Sequence, residues 1–254
     1  RWRVLGVVSP SDLVDRDQRV SRPSLIGGMA TPFGVYLTTG STQAGAGAWA
    51  LVSTGALMAT ILVVGMLVGD WAAAQAFERG AQLFWVNAIA EFAPLVFFLV
   101  TLRISPLAGI HAAEHMTVHA IERREPLTLK SVSRMPRIHP RCGTNLAVAA
   151  GLFLTIAASP IIEDQHLRLL IAMLFTLFLR QPLGNLLQWA VTTRPPNEKQ
   201  IKMGIRAGEE LLQKHQRAPH VPPNLLMRLW NSGIFHVIGG STIVLTLAQL
   251  LGIV

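Results

Sequence analysis

The residues best suited to chemistry lie in two short motifs near the middle of the chain. His111-Ala112-Ala113-Glu114-His115 places two imidazoles four residues apart with a carboxylate between them. On a helix such a pair points the same way and can bind one metal ion, with Glu114 beside it. The order H-x-x-E-H is that of the inverted zinc-hydrolase motif, in which the carboxylate is the general base toward an activated water. His119 and Glu122 continue the same helical face. His111 and Glu122 would lie ~16 Å apart along a helix, so two or three of these side chains, not all four, can share an ion. The second motif is His139-Pro140-Arg141-Cys142-Gly143-Thr144, a Pro/Gly-shaped turn with His and Cys three apart. That pair suits Zn²⁺ or Fe²⁺, with zinc the favoured reading. Together the motifs predict a composite site of His111, His115, His139 and Cys142, with a third ligand from His139 or Cys142 and Glu114 as the catalytic carboxylate. Glu122, Arg141 and His119 are further candidates. The competing reading is an amphipathic interfacial helix whose His and Glu side chains are merely solvated.

The elements that must position these motifs are membrane helices. Of 254 residues, 51% are hydrophobic and only 14% charged, and the mean hydropathy is +0.43. The apolar residues cluster in runs long enough to cross a ~30 Å hydrocarbon core. The expected fold class is therefore all-α, a polytopic membrane protein of four to five spans with a His/Cys-rich loop on the cytoplasmic side. Residues 1–48 are expected to form an amino-terminal cytoplasmic segment, read as a loop because its Gly-rich part lacks helical periodicity. Residues 49–190 make a four-helix membrane domain, with spans near 49–68, 83–102, 145–162 and from 167 onward, and with the polar loop at 103–143. Residues 191–228 read as a cytoplasmic amphipathic segment, and 229–254 as an additional span. No apolar signal core precedes residue 40, which leaves the first span to direct insertion.

Lys and Arg set the orientation. Segments 1–48, 103–143 and 192–228 hold 5, 7 and 7 of them, while the opposite turns hold Arg79 and Arg168. This predicts a cytoplasmic amino terminus. The same excess explains the net charge of +8 without nucleic acid, which is not an expected partner. Within the spans, Glu91 and Arg180 are predicted to pair, because a mid-membrane charge costs at least ~2.5 kcal/mol alone. A single cysteine excludes an intramolecular disulfide. No Walker loop, dinucleotide fingerprint or G-x-S-x-G elbow is present.

Four blocks give the chain a family resemblance: Gly27 to Val35; His111 to Thr117 with Glu122; His139 to Thr144; and Gln188 to Arg194, running on into the helix near Glu198 to Leu212. They resemble the bacterial YqhQ-like membrane proteins, a domain of unknown function described as predicted metal-dependent enzymes. The resemblance implies a multi-span membrane protein with a metal site. His111, Glu114, His115, Glu122, His139, Arg141 and Cys142 match its pattern, whereas His119 rests on helical spacing alone. The chain departs from the pattern at Met29, Phe33 and Thr38, where Gln, Glu and Arg are usual, and at Met116, where Lys is usual. Two functions follow. One is a metal-dependent hydrolase acting at the inner membrane surface on a membrane-associated ester, amide or phosphoester. The alternative is a non-catalytic subunit of a membrane complex, with a structural His/Cys loop and partner contacts through 229–254.

Overall fold

The computed structural model describes residues 22–23, 25–217 and 223–253. The charged residues before Arg22 that belong to the expected amino-terminal segment lie outside them. From Gly27 the chain forms a three-stranded antiparallel sheet in the order β1 (Gly27–Thr31), β2 (Gly34–Thr38), β3 (Gln43–Gly45). This corrects the expected loop and qualifies the all-α class. β2 is buried along its whole length, so it shows no polar alternation for a sequence pattern to reveal. Its register, Gly28 opposite Leu37 and Thr31 opposite Gly34, is closed by a two-residue turn in which the Thr31 hydroxyl donates to the Gly34 carbonyl.

The helices follow: α1 (Ala48–Glu78), α2 (Leu83–Ile104), α3 (Pro106–Glu122), the single turn α4 (Leu129–Val132), α5 (Gly143–Ala158), α6 (Gln165–Leu187) with a terminal π turn (Gln188–Thr192), α7 (Glu198–Arg217), α8 (Leu225–Asn231) and α9 (Ile234–Leu250). Three of them are long and apolar enough to cross a membrane: α1, α2, and α6 with its π turn. The pair α8 and α9, bent by 50°, makes a fourth if it counts as one span. The bend sits at Gly233, whose φ of +82° lies in the left-handed region. The expected third span is corrected. It is realised only as the 16 residues of α5, about 24 Å of helix at 1.5 Å per residue. The backbone turns out at Ser159, and Pro160 cannot rejoin the helical hydrogen-bond ladder.

α1 is the centre of one group, packed by α2 on one side and α9 on the other. Small residues permit these contacts, as between membrane helices generally. Pro94 of α2 rests against Gly65 and Gly69 of α1, and Gly55 and Gly240 let α1 and α9 approach backbone to backbone. α5 and α6 form a separate antiparallel pair that meets the rest chiefly through the π turn, which rests against α2. α2 buries no residue fully, and α5 buries only Asn145. Their apolar faces are left for lipid.

At the end of the bundle where α2 finishes and α5 begins lies a core of the kind found in soluble proteins. α3 is packed between the sheet and α7. Ile26, Val35, Leu37, Ile110, Val118, Ile121 and Leu211 form its centre. Met116, Ala120, Val132, Ile201 and Ile205 form a second cluster on the other side of α3. Gly204 and Gly208 of α7 lie directly on Thr117, which brings the two helices close. α3 is therefore a buried helix, not an interfacial one lying in solvent, and its histidine face is turned inward onto the turn from His139 to Cys142.

Candidate metal centre

Three histidines one helical turn apart on α3 have their ring orientation fixed by backbone carbonyls. His111 Nδ1 lies 2.9 Å from the Thr192 carbonyl, at the end of the π turn. His115 Nδ1 lies 2.7 Å from the carbonyl of Arg137. His119 Nε2 lies 2.9 Å from the carbonyl of Ile138. A carbonyl only accepts, so each of these nitrogens carries a proton and donates it. In a neutral ring the other nitrogen then presents a lone pair: Nε2 of His111, Nε2 of His115 and Nδ1 of His119. This outer-shell arrangement holds imidazole ligands in most protein metal sites.

The loop supplies the thiol. Cys142 is the N-cap of α5 and its Sγ accepts the Thr144 backbone N–H. Sγ lies 3.3 Å from His111 Nε2. Donor atoms of His111, His115 and Cys142 fall within 4.8 Å of one another, a separation that one tetrahedral ion can bridge. Burial pushes the thiol above its usual range, against the Thr144 contacts. Burial also holds His115 well below the ordinary imidazole value, and the neighbouring His111 adds to this. A site that keeps its imidazole neutral and pairs it with a capped thiol fits a soft or borderline divalent cation.

Glu114 completes the chamber. Its Oε2 is 3.9 Å from His111 Nε2 and 3.7 Å from His115 Nε2, too far for direct hydrogen bonds. Burial raises its pKa to about 8, opposed by His111 and reinforced by Cys142. In the metal-free protein at neutral pH it is therefore mostly a neutral acid beside a neutral imidazole, not an ion pair. The carboxyl lies flat against Gly28 of β1, where any Cβ would overlap it. A cavity of about 60 Å³ opens between His111, Glu114, His115, His139, Cys142 and Gly28, enough for one or two waters.

Of the two candidates for the third ligand, Cys142 falls with His111 and His115, and His139 falls in a second cluster. It groups with His119 and Glu122, its ring 4.6 Å from that of His119 and 5.6 Å from that of His115. Arg141 ion-pairs with Glu122. The Arg141 backbone N–H points at His139 Nδ1 across 3.3 Å, so the neutral ring keeps its proton on Nε2. That atom is buried without a hydrogen-bond partner, 3.6 Å from Glu122 Oε2. Burial, with His119 next, lowers its pKa to about 4. With the proton on Nε2, the second cluster is a weaker cation site than the first and is better placed to hold a proton beside it.

Several residues that hold the site carry little signal in the sequence. Gln188, fully buried in the π turn, accepts the His139 N–H at 2.9 Å and donates to the His139 carbonyl and to Asn145 Oδ1. Asn145 in turn donates to the Pro140 carbonyl. These bonds clamp the turn that carries His139 and Cys142. Gly28 and Gln188 both lie in blocks that carry the family resemblance, Gly27 to Val35 and Gln188 to Arg194, but neither residue type carries ligand or base chemistry that would mark it as part of a site.

Other expected residues are not brought together. Glu91 and Arg180 are both exposed and form no ion pair among the described residues. α2 pairs with α1 and α6 with α5, which leaves the two charges on helices that are not packed partners. Met116 points into the α3–α7 core, away from the chamber. Phe33 lies on the surface with its ring 4.2 Å from that of Trp49.

No curated protein and no solved structure matches this chain. A family model does, over residues 37–179, from β2 into α6 and across both histidine motifs. That is more than half of the 254 residues, and the chain belongs to this family, described as a protein of unknown function (DUF1385).

Proposed function

We propose that this chain is a metal-dependent hydrolase working at the cytoplasmic surface of the bacterial inner membrane, with His111, His115 and Cys142 holding a divalent ion, zinc by donor chemistry, and Glu114 as the catalytic carboxylate. One observation carries the reading: two imidazole lone pairs and a capped thiol converge on a chamber whose remaining wall is a carboxyl with no other partner. The resemblance to YqhQ-like proteins points the same way, and the Lys/Arg-rich segments flanking α3 support the cytoplasmic side. A bound divalent ion would polarise a carbonyl or phosphoryl oxygen, lower the pKa of water and favour the ionised form of Glu114.

The chain's own residues then have distinct tasks. Glu114 accepts a proton from the attacking water as its oxygen bonds to the acyl or phosphoryl centre. It returns that proton to the leaving oxygen or nitrogen as the scissile bond breaks. Thr192, Arg137 and the Gln188 clamp keep the rings and the Cys142 turn from moving during the exchange. Arg141, at the edge of the chamber, faces an anionic group of the substrate, while Glu122 holds its guanidinium in place and lies beside the buried Nε2 proton of His139.

Elemental analysis and a hydrolase screen on the detergent-purified protein test the reading together. Glu114→Gln is expected to keep its metal and lose ~10²–10⁴-fold in turnover. Turnover that survives in this variant, or a folded wild-type protein with no bound metal, overturns it. The alternative, a non-catalytic subunit with a structural His/Cys site, draws on the exposed apolar surface of α5, where Leu146 and Leu154 are 70% and 64% exposed. It is favoured if the metal is present, no substrate class is turned over, and a stoichiometric partner co-purifies.

A further inference from the structure

Three cavities meet at Gly28. The chamber between His111, Glu114 and Cys142 is the middle one. On one side lies a cavity of about 250 Å³ walled by Met29, Thr54, Met58, Leu102 and Leu107, and it ends on His111 and Cys142. On the other lies a cavity of about 350 Å³ bordered by Thr38, Arg141 and Arg228. The first shares Gly28, His111, Cys142 and Gly143 with the chamber, and the second shares Ile26, Gly27, Gly28 and Arg141 with it. Apolar space, reactive groups and cationic space therefore adjoin in that order.

Depth along α1 places the apolar cavity within the bilayer. Trp49, 60% exposed, marks one end of the helix, and Trp71, 66% exposed, the other. They are 22 residues apart in sequence, ~33 Å of helix, close to the hydrocarbon thickness between two aromatic belts. Met58 is nine residues past Trp49, ~13 Å below that belt. The hydroxyls of the wall are already engaged: Thr54 donates to the Ala50 carbonyl, and Thr144 and Thr192 lie 3.3 Å apart and share a hydrogen bond. At ~30 Å³ per water-sized group the cavity accommodates about eight methylenes. The cavity bordered by Arg141 and Arg228 is walled mainly by residues 25–28 and 38–40, at the open end of the β1–β2 hairpin.

We propose that the substrate is a single-chain amphiphile with an anionic head group, its chain lying between α1 and α2, its labile bond at the Glu114 chamber and its head group against Arg141 and Arg228. This rests on the hydrolytic reading and specifies what is hydrolysed. Water adds across the bond that joins the chain-bearing part to the head group, and the leaving oxygen or nitrogen takes the proton that Glu114 removed from the water. The apolar cavity has room for about eight carbons of one chain, the rest of a longer chain running out into the lipid, and no room for a second chain beside it.

The test uses the full chain in nanodiscs and a hexadecylphosphonate carrying a diazirine in its chain, a head group that hydrolysis does not remove. Photolabelling is expected on the Thr54 to Met58 and Leu102 to Leu107 stretches, displaced by unlabelled hexadecylphosphonate but not by dodecyl maltoside. Met58→Trp, which fills the cavity, is expected to reduce displaceable labelling about tenfold, and Arg228→Gln to weaken phosphonate capture about tenfold through loss of one charge-assisted contact. Metal content is read on the same samples, and retained metal in Met58→Trp shows that the site beside the cavity still forms. Labelling spread over the outward faces of α2 and α5 and not displaced, with metal present, overturns the amphiphile and leaves the hydrolase standing. Displaceable labelling in a protein without metal upholds the amphiphile and overturns the hydrolytic reading. If Met58→Trp does not fold, displacement in the wild-type protein still decides.

Discussion

If His111, His115 and Cys142 take a metal as proposed, uptake must expel the protons that Cys142 and Glu114 carry. The Cys142 thiol is pushed above its usual range by burial, so at neutral pH it is protonated and must lose that proton to become a ligand. Glu114 carries a proton up to about pH 8, and a cation within reach of its carboxylate drives that proton off as well. His115 brings none, because burial holds it neutral. Each expelled proton makes the apparent affinity rise about tenfold per pH unit, ~1.4 kcal/mol. Between pH 6 and 8 the wild-type affinity is thus expected to climb about 10⁴-fold for two protons. Above pH 8, where Glu114 is already ionised, only the thiol contributes and the slope halves. Cys142→Ser and Glu114→Gln each remove one proton below pH 8 and should each show about half the wild-type slope. Above that pH the serine variant goes flat, while the Gln variant keeps its slope. The assay is zinc competition against a chromophoric chelator across the pH range, checked by proton release into weak buffer. Cobalt substitution adds a thiolate-to-metal absorption band that Cys142→Ser must lose. A wild-type affinity independent of pH, or a Cys142→Ser profile superimposable on wild type, refutes this assignment of ligands and base.

Gly28→Ala is expected to push the Glu114 carboxyl out of its place, because the new Cβ overlaps it. Such overpacking costs ~1–3 kcal/mol. Denaturation in detergent should show that loss and elemental analysis an unchanged metal content, with turnover reduced as in Glu114→Gln. Gln188→Leu removes three hydrogen bonds from the turn around His139 and leaves buried groups unpaired at ~1–3 kcal/mol each. It should destabilise the fold and also weaken zinc binding, since Cys142 loses its support. Wild-type zinc affinity in this variant would show that the clamp does not position the ligand.

How much of this was legible in the sequence depended on whether the signal was local. The four-residue spacing of His111, His115 and His119 is a property of one helix, and it put all three on one face as expected. The partners of those rings are carbonyls of Thr192, Arg137 and Ile138, and backbone groups leave no residue-type signature. His139 and Cys142 lie three apart in one turn, so spacing could not say which of them joins His111. The fold separates them, because the N-cap of α5 turns Cys142 toward His111 while Gln188 holds His139 beside His119 and Glu122. The Glu91 and Arg180 expectation failed for the opposite reason. Helix rise puts Arg180 only ~7 Å deeper than Glu91, within reach of a long side chain, but a small difference in depth does not make neighbours, and α2 and α6 each pack on a different partner. The sheet was invisible because β1 is rich in Gly and β2 is buried at every residue.

The departures from the family pattern take on meaning from where they fall. Met29 lines the apolar cavity and Thr38 the cationic one, while Met116 is packed in the core and Phe33 sits on the surface beside Trp49. None of these four lines the small chamber itself. The groups that would bind the ion and move the proton are therefore untouched by the substitutions, and two of the four line the cavities proposed to receive substrate. A methionine in place of a polar residue extends the apolar wall toward His111. A threonine in place of an arginine leaves Arg141 and Arg228 as the cations of the other cavity. On the proposed reading, divergence of this kind alters which molecule is bound and leaves the reaction alone, as expected where a fixed reactive constellation serves different substrates through the surfaces around it.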